Sequence, residues 1–198
     1  MESLSDAFGR ASFADKETTP PVMVALDLEG ASHRGGIREV GAVVVGGDDG
    51  ATFCDVVTQR GRDIGLAPRD AARTWASVGP RFWRWLEDVS EGKAVLLVGH
   101  NFCKFDLQLL REDTKLHCPE WPKKHVAWAD TLEASRSVFP NLKRRDLHSV
   151  YLYVYGGVPD PAGAHTALAD ARACAALCDH PLVHERLMST PQRFVFRV

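Results

Sequence analysis

The segment that most constrains the fold is the apolar, β-branched-rich run VMVALDL (22–28), which predicts a buried strand and carries acids at its end. Asp27 and Glu29 stand two residues apart, and because side chains alternate along a strand, both carboxylates point to one face. Two such charges about 4 Å apart repel by about 4 kcal/mol at an effective dielectric constant near 20. A divalent cation would resolve this repulsion, and an oxygen-only ligand set favours Mg²⁺ or Mn²⁺. The alternative is a D-x-E pair that faces water.

The rest of the chain alternates between strand and helix patterns, as is typical of a single α/β domain. Three strands joined by short turns, which predict an antiparallel meander, are expected at 22–28, 38–45 and 51–59. A wholly apolar run at 94–98 predicts a central buried strand, and residues 125–129 predict another that ends at Asp130. Helical spacing is found at 69–76, 79–89, 105–112, 131–138, 147–155 and about 166–179, where Pro181 ends the last helix.

Composition sets the size and class of the protein. The 198 residues suit one domain with its own core, and 45% hydrophobic and 25% charged residues are typical of a globular protein. Residues 1–20 lack periodicity, so we expect a weakly ordered arm followed by a single domain at 21–198. The five scattered cysteines favour reduced thiols. Without an apolar run of about 20 residues or a signal pattern, we expect an intracellular protein, cytoplasmic or nuclear, that does not contact membranes.

A third acidic residue, Asp106, ends the segment GHNFCKFD (99–106), which follows the buried strand. Functional sites of α/β proteins lie at the carboxyl ends of their strands, so Asp106 is a candidate site residue. The alternative is an acid that stabilises the start of a helix through the helix dipole. Asn101, in the same loop, either contacts a substrate or caps a turn.

The last candidates, His165 and Asp170, lie in HTALADA (165–171). Asp170 shares an edge with the apolar stripe of a helix, and a buried aspartate must be paired or bind a metal ion. His165 is five residues earlier, about 140° away if both residues were helical. We therefore expect His165 on the loop before the helix, where a histidine is suited to act as a general base. The alternative is a histidine at a helix start that faces solvent.

Taken in order, these motifs resemble those of the DnaQ-like DEDDh exonuclease family. The features that carry the resemblance are D-x-E at the end of the first strand, Asp106 in its G-H-N-x-x-x-F-D setting, H-x-x-x-x-D at a late helix and EVGAVVV (39–45) after the first motif. The similarity covers about residues 22–179. Thr166 stands where the tyrosine variant of the superfamily would place Tyr, so the histidine variant fits better.

The resemblance implies an α/β, ribonuclease H-like fold with a five-stranded mixed sheet flanked by helices, and a 3′→5′ exonuclease activity with two divalent ions. By position, the first ion would be held by Asp27, Glu29 and Asp170, and Asp106 would help place the second. His165 would deprotonate the attacking water. The residues expected to contact the substrate are Gly30, Asn101 and Phe105. Gly30 stands where many relatives have a threonine.

Several interpretations stay open at this point. The substrate is nucleic acid, DNA or RNA, with a 3′ end, and a protein partner or homodimer is undetermined. The basic clusters 123–125 and 143–145 either meet phosphates or face solvent, while Trp85 and Trp121 are candidates for stacking on bases. Cys174 and Cys178, with His180 and His184, could suggest a zinc site, but the two cysteines suit a helix core better. A catalytically silent nucleic-acid-binding or scaffolding module on the same fold is the alternative to an enzyme.

Overall fold

The structure, a computed structural model, describes residues 19–31, 36–47, 51–57, 73–122, 126–157, 166–189 and 192–194. Its strands are β1 (Val22–Ala31), β2 (Gly36–Val44), β3 (Thr52–Val56), β4 (Val95–Gly99), β5 (Val126–Asp130) and β6 (Gln192–Phe194). They form one mixed sheet in the order β3-β2-β1-β4-β5-β6. The expected meander β1-β2-β3 is antiparallel, while β4 pairs in parallel with β1 and β5.

The predicted five-stranded mixed sheet is confirmed, and the structure adds one short edge strand. This strand, β6, pairs antiparallel with β5 and takes up part of the tail after residue 181. Most of the predicted N-terminal arm (1–20) lies outside the described residues, so the domain boundary stays a prediction.

The helices are α1 (Trp75–Ser90), α2 (Asp106–His117), α3 (Thr131–Val138), α4 (Leu147–Tyr155), α5 (Ala167–Asp179) and α6 (Pro181–Ser189). The sequence predicts caps for two of them: a capping box of Asp130 and Glu133 for 131–138, and an N-cap at Asp146 for 147–155, which ends at Gly156. Both aspartate caps are observed. Asp130 accepts a hydrogen bond from Leu132 N at the start of α3, and Asp146 caps α4, which ends at a left-handed Gly156. None of the described helices is long and apolar enough to cross a bilayer.

Two helix predictions were wrong, both at prolines. Separate helical segments were expected at 69–76 and 79–89, but one helix, α1, begins at Trp75 and runs through Pro80; residues 69–72 lie outside the described residues. Burial of Phe82, Trp83 and Leu86 compensates for the one helical hydrogen bond that the proline ring removes. Residues 181–189 were expected to be part of a tail, but they form the helix α6. Pro181 is the first residue of α6, where a missing N–H costs nothing, so it ends one helix and begins the next.

Two hydrophobic cores flank the sheet, because the side chains of β1 alternate between them. Val24, Leu26 and Leu28 pack into the core that includes the buried faces of α1 and α2. Met23 and Ala25 pack into the opposite core, which includes buried residues of α3, α5 and α6. By the same alternation, Asp27 and Glu29 continue the second row, on the α5 side of the sheet.

Candidate active site

Three carboxylates meet on the α5 side of β1. Single oxygens of Asp27, Glu29 and Asp170 all lie within 4.8 Å of one another. Asp27 and Asp170 are partly buried, while Glu29 is exposed. The predicted convergence of Asp27 and Glu29 on one face is therefore observed, and the structure brings Asp170 to the same point.

The electrostatics of this cluster are unfavourable without a cation. Burial, and then the negative charges of Asp106, Asp170, Glu29 and Glu39, raise the pKa of Asp27 from its ordinary 3.8 to about 9. The donor set consists only of carboxylate oxygens, which are the ligands that Mg²⁺ and Mn²⁺ prefer. The residues present therefore fit a divalent cation held by Asp27, Glu29 and Asp170.

Asp106 reaches the site from the first residue of α2. Parallel pairing between β1 and β4 ends at Ala25 and Val98, so β1 extends beyond its neighbour. The backbone N–H of Leu28 on this extension donates to Asp106 Oδ1 at 2.9 Å. Burial raises the pKa of Asp106 to about 7, and the bond from Leu28 N opposes that rise. Asp106 lies close enough for its charge to raise the pKa of Asp27.

Asp170 owes its place to a tight contact between α5 and β2. Thr166 caps α5 by accepting a hydrogen bond from Ala169 N. Glu39 Oε1 then accepts from the backbone N–H of Ala167 at 3.0 Å. Two residues along β2, a Cβ on Gly41 would lie 2.3 Å from the carbonyl carbon of Ala167, so only glycine permits this approach. The helix start is thus fixed against the strand, with Asp170 one turn into the helix.

The predicted general base, His165, lies outside the described residues, and its role stays a prediction. A different histidine contacts the cluster: His148 Nε2, on α4, is 3.1 Å from Asp170 Oδ1. Sequence reasoning missed His148, because the helix pattern of 147–155 gives no sign that its first turn faces α5.

Asp130 holds the loop between β4 and α2. It is buried at the end of β5, beside Gly99, and its carboxylate accepts hydrogen bonds from the backbone N–H groups of Asn101 and Cys103. The same carboxylate caps α3 through Leu132 N. Sequence reasoning identified the cap only. Its second role follows from the parallel pairing of β4 with β5, which the local sequence does not show.

The structure places the three predicted substrate residues without testing their role. Gly30 follows an irregularity of the β1–β2 pairing, and a Cβ there would lie 2.5 Å from Gly36 O, so the backbone leaves no room for a side chain. Asn101 is half-buried in a left-handed conformation, with a φ of 61°. Phe105 is half-buried against the α1–α2 core.

The two tryptophans predicted to stack on bases, Trp85 and Trp121, both pack against the protein. Trp121 is buried, so its prediction as a base-stacking residue is wrong. Trp85 packs beside Phe53 and Phe82.

In the basic cluster 143–145, Arg145 donates hydrogen bonds to the carbonyls of Phe139 and Pro140 and so stabilises a loop. Arg144 forms an ion pair with Asp146. The other basic cluster, 123–125, lies outside the described residues. Cys174 and Cys178 are buried in the core, as expected.

Comparison with known proteins is consistent with this geometry. The family model RNase_T, described as "Exonuclease", matches residues 72–178, more than half of the chain. The match includes Asp106 and Asp170, while Asp27 and Glu29 precede it. No curated protein sequence matches the chain.

Solved structures share the fold. One, described as "Exonuclease X in complex with 5' overhanging duplex DNA", is 24% identical with a TM-score of 0.52, and the alignment covers 78% of this chain and 87% of that one. Another, an exonuclease I, is 18% identical with a TM-score of 0.60, covering 86% of this chain but only 44% of its own. At these identities the likeness concerns the fold.

Proposed function

Because this chain belongs to the RNase_T exonuclease family, we propose that it removes nucleotides from the 3′ end of nucleic acid by metal-dependent hydrolysis. One observation carries the proposal: single oxygens of Asp27, Glu29 and Asp170 lie within 4.8 Å of one another on the α5 side of β1. Their convergence is unfavourable unless a cation binds there or protons are taken up. The family membership and the shared fold support a nuclease; the 3′→5′ direction, the two ions and the histidine base belong to the proposal.

The proposed roles follow the geometry. When bound, divalent cations lower the pKa of water and stabilise negative charge on a leaving oxygen. Asp27, Glu29 and Asp170 would hold the first ion. Asp106, fixed by Leu28 N, would orient the water ligands of a second. His165, on the segment before α5, would accept the proton of the attacking water.

The test is degradation of oligonucleotides labelled at the 5′ end, with Mg²⁺, Mn²⁺ or EDTA. Single strands, blunt duplexes and duplexes with a 5′ overhang, as DNA and as RNA, identify the preferred substrate; the overhang form is that bound in the exonuclease X structure. A ladder of fragments that shorten from the 3′ end and disappear in EDTA is expected. Asp27→Asn should lose this ladder.

A matched control is Asp88→Asn, because Asp88 is an exposed aspartate on α1. It should cleave as the wild type does. If no strand is cleaved with either metal while oligonucleotides still bind, the enzymatic proposal is wrong and the silent binding module replaces it. Release of the label itself in the first products would contradict the 3′→5′ direction.

A further inference from the structure

His148, which is not one of the five predicted site residues, makes a direct polar contact with Asp170. It is the second residue of α4, and its Nε2 lies 3.1 Å from Asp170 Oδ1 across the packing of α4 on α5. The two side chains are 35% and 17% exposed, so water screens the contact only in part. A carboxylate oxygen can only accept, so Nε2 carries the hydrogen and donates it.

The helix that carries His148 is fixed independently of this contact. Asp146 caps its first turn by accepting from Ser149 N, and Val150 is buried. Immediately before α4, the carbonyl of Arg145 accepts a hydrogen bond from His100 Nε2 at 2.7 Å, which ties the segment to the end of β4. At the other end, the Tyr155 hydroxyl donates to the carbonyl of Ala176 on α5. His148 therefore approaches Asp170 from a rigid element, as a positioning group requires.

Asp170 needs such a group because its carboxylate has two oxygens and a rotatable bond. One oxygen takes part in the three-carboxylate cluster. A donor fixed on Oδ1 restricts rotation of the carboxylate and keeps an oxygen directed at Asp27 and Glu29. Hydrogen-bond partners of metal ligands act in this way, and their loss costs roughly 10–100-fold in metal affinity or activity.

We propose that His148 is a positioning residue of the metal site, which orients the carboxylate of Asp170 for cation binding. This inference rests on the proposed function, since it takes Asp170 as a metal ligand. It assigns His148 a role separate from that of His165: His148 holds a ligand, while His165 would move a proton.

The experiment measures Mn²⁺ binding by the full chain, by calorimetry and electron paramagnetic resonance. His148→Ala should weaken Mn²⁺ binding by roughly 10–100-fold. His148→Leu fills the half-buried position without a donor and should show the same loss. His148→Gln restores an N–H donor and should recover most of the affinity. His184→Ala, at an exposed histidine on α6, is the matched control and should bind as the wild type does.

Two results would overturn the inference while leaving the proposed function intact. One is wild-type affinity in both His148→Ala and His148→Leu. The other is tighter binding in these variants, which would mean that His148 competes with the metal for Asp170. Melting temperatures identify a variant that fails to fold. If His148→Ala fails to fold, the difference in Mn²⁺ affinity between His148→Leu and His148→Gln tests the inference. A wild-type protein that binds no Mn²⁺ at Asp170, shown by an unchanged Asp170→Asn variant, would refute the metal site of the proposed function and this inference with it.

Discussion

At the scale of single residues, the site is a place where stability and function oppose each other. Asp27 continues an otherwise apolar row of β1 side chains, and its burial among other carboxylates raises its pKa to about 9. A neutral side chain of the same shape would suit the metal-free fold better. Under the proposed function, the role of this acid is to bind a cation and not to stabilise the fold.

Asp27→Asn should separate the two effects. In EDTA at about pH 8, it should melt at a higher temperature than the wild type, because the neutral amide needs no proton in order to be buried among other carboxylates. With Mg²⁺, its activity should fall at least about 100-fold, since loss of a ligand should exceed the loss of a ligand's partner. Thermal melts measure the stability and single-turnover cleavage measures the activity. A lower melting temperature of Asp27→Asn than of the wild type in EDTA would contradict the electrostatic account.

The pH dependence of the metal-free protein has a definite sign. The pKa of Asp27 is raised on folding from 3.8 to about 9, so the folded state holds a proton that the unfolded state has released. The stabilisation that this proton gives is present below about pH 4 and is lost as the pH rises towards about 9. Burial raises the pKa of Asp106 as well, to about 7, with the same sign.

Melting temperatures in EDTA should therefore fall from about pH 6 to about pH 9 more steeply for the wild type than for Asp27→Asn. Added Mg²⁺ should flatten the wild-type curve, because the cation replaces the protons. If melting temperature depended on pH in the same way for both proteins, with and without Mg²⁺, Asp27 would not be the source of the pH dependence.

The residues that sequence reasoning identified are those whose chemistry is unusual for their position: acids at the ends of apolar strands or on the edge of an apolar helix stripe. Those it missed, such as His148, are ordinary in their local pattern. Their role arises from contacts 22 or more residues apart, as between His148 and Asp170, which periodicity within one element does not report.

At the scale of elements, the contact between α5 and β2 determines whether Asp170 reaches the other acids. Glu39 binds the first amide of the helix, and Gly41 lets the two backbones approach. The EVG sequence on β2 is thus explained by helix docking. Sequence reasoning recognised this motif by its resemblance alone.

Gly41→Ala should push α5 away from β2, because its Cβ would lie 2.3 Å from backbone atoms of Ala167 and Leu168. We expect a loss of about 1–3 kcal/mol in the free energy of unfolding, together with weaker Mn²⁺ binding. Gly157→Ala is the control, since a Cβ there meets nothing within 4 Å. Urea denaturation and Mn²⁺ titration provide the readouts; equal effects of the two substitutions would refute the docking argument.

The two aspartate caps offer a comparison between elements. Asp146 caps α4 at the surface, while buried Asp130 caps α3 and also binds two amides of the loop that leads to Asp106. Asp146→Ala should cost about 1 kcal/mol of stability, as a helix cap usually does. Asp130→Ala should cost more, because the amides of Asn101 and Cys103 lose their partner in addition to the helix cap. Equal costs in chemical denaturation would show that the loop does not depend on Asp130.

At the scale of the whole molecule, the order of strands and helices was predictable, because most elements have their own hydrophobic periodicity and are bounded by capping or turn residues. Asp146 and Gly156 delimit α4 at the predicted residues. The alternating tail RFVFRV (193–198) favours an edge strand or a partner contact, and β6 covers its first two residues. The helix α6 was not predicted, since a helix that begins at a proline leaves a weak local signal. That Asp27 and Glu29 share a face follows from strand alternation. That Asp106 and Asp170 join them was predictable only through resemblance, because it depends on parallel pairing and helix docking.

The overall charge also depends on the site. With a formal net charge of −2, the protein would reach +2 once two divalent ions are bound. Binding of a 3′-ended oligonucleotide should therefore be weak in EDTA and strengthen with a non-catalytic divalent ion such as Ca²⁺. Fluorescence anisotropy measures this for the wild type and for Asp170→Asn, which should respond less. Binding that is equal in EDTA and Ca²⁺ would mean that the acidic cluster does not take part in substrate binding.

The measurement that tests the central claim most directly is an anomalous difference map from crystals soaked in Mn²⁺. We predict a peak at bonding distance, about 2.0–2.3 Å, from oxygens of Asp27, Glu29 and Asp170. The same soak of Asp27→Asn crystals should leave that position weak or without a peak. If the wild-type map shows no peak among these three carboxylates at saturating Mn²⁺, they do not form a metal site, and the account of this protein as a metal-dependent exonuclease is contradicted.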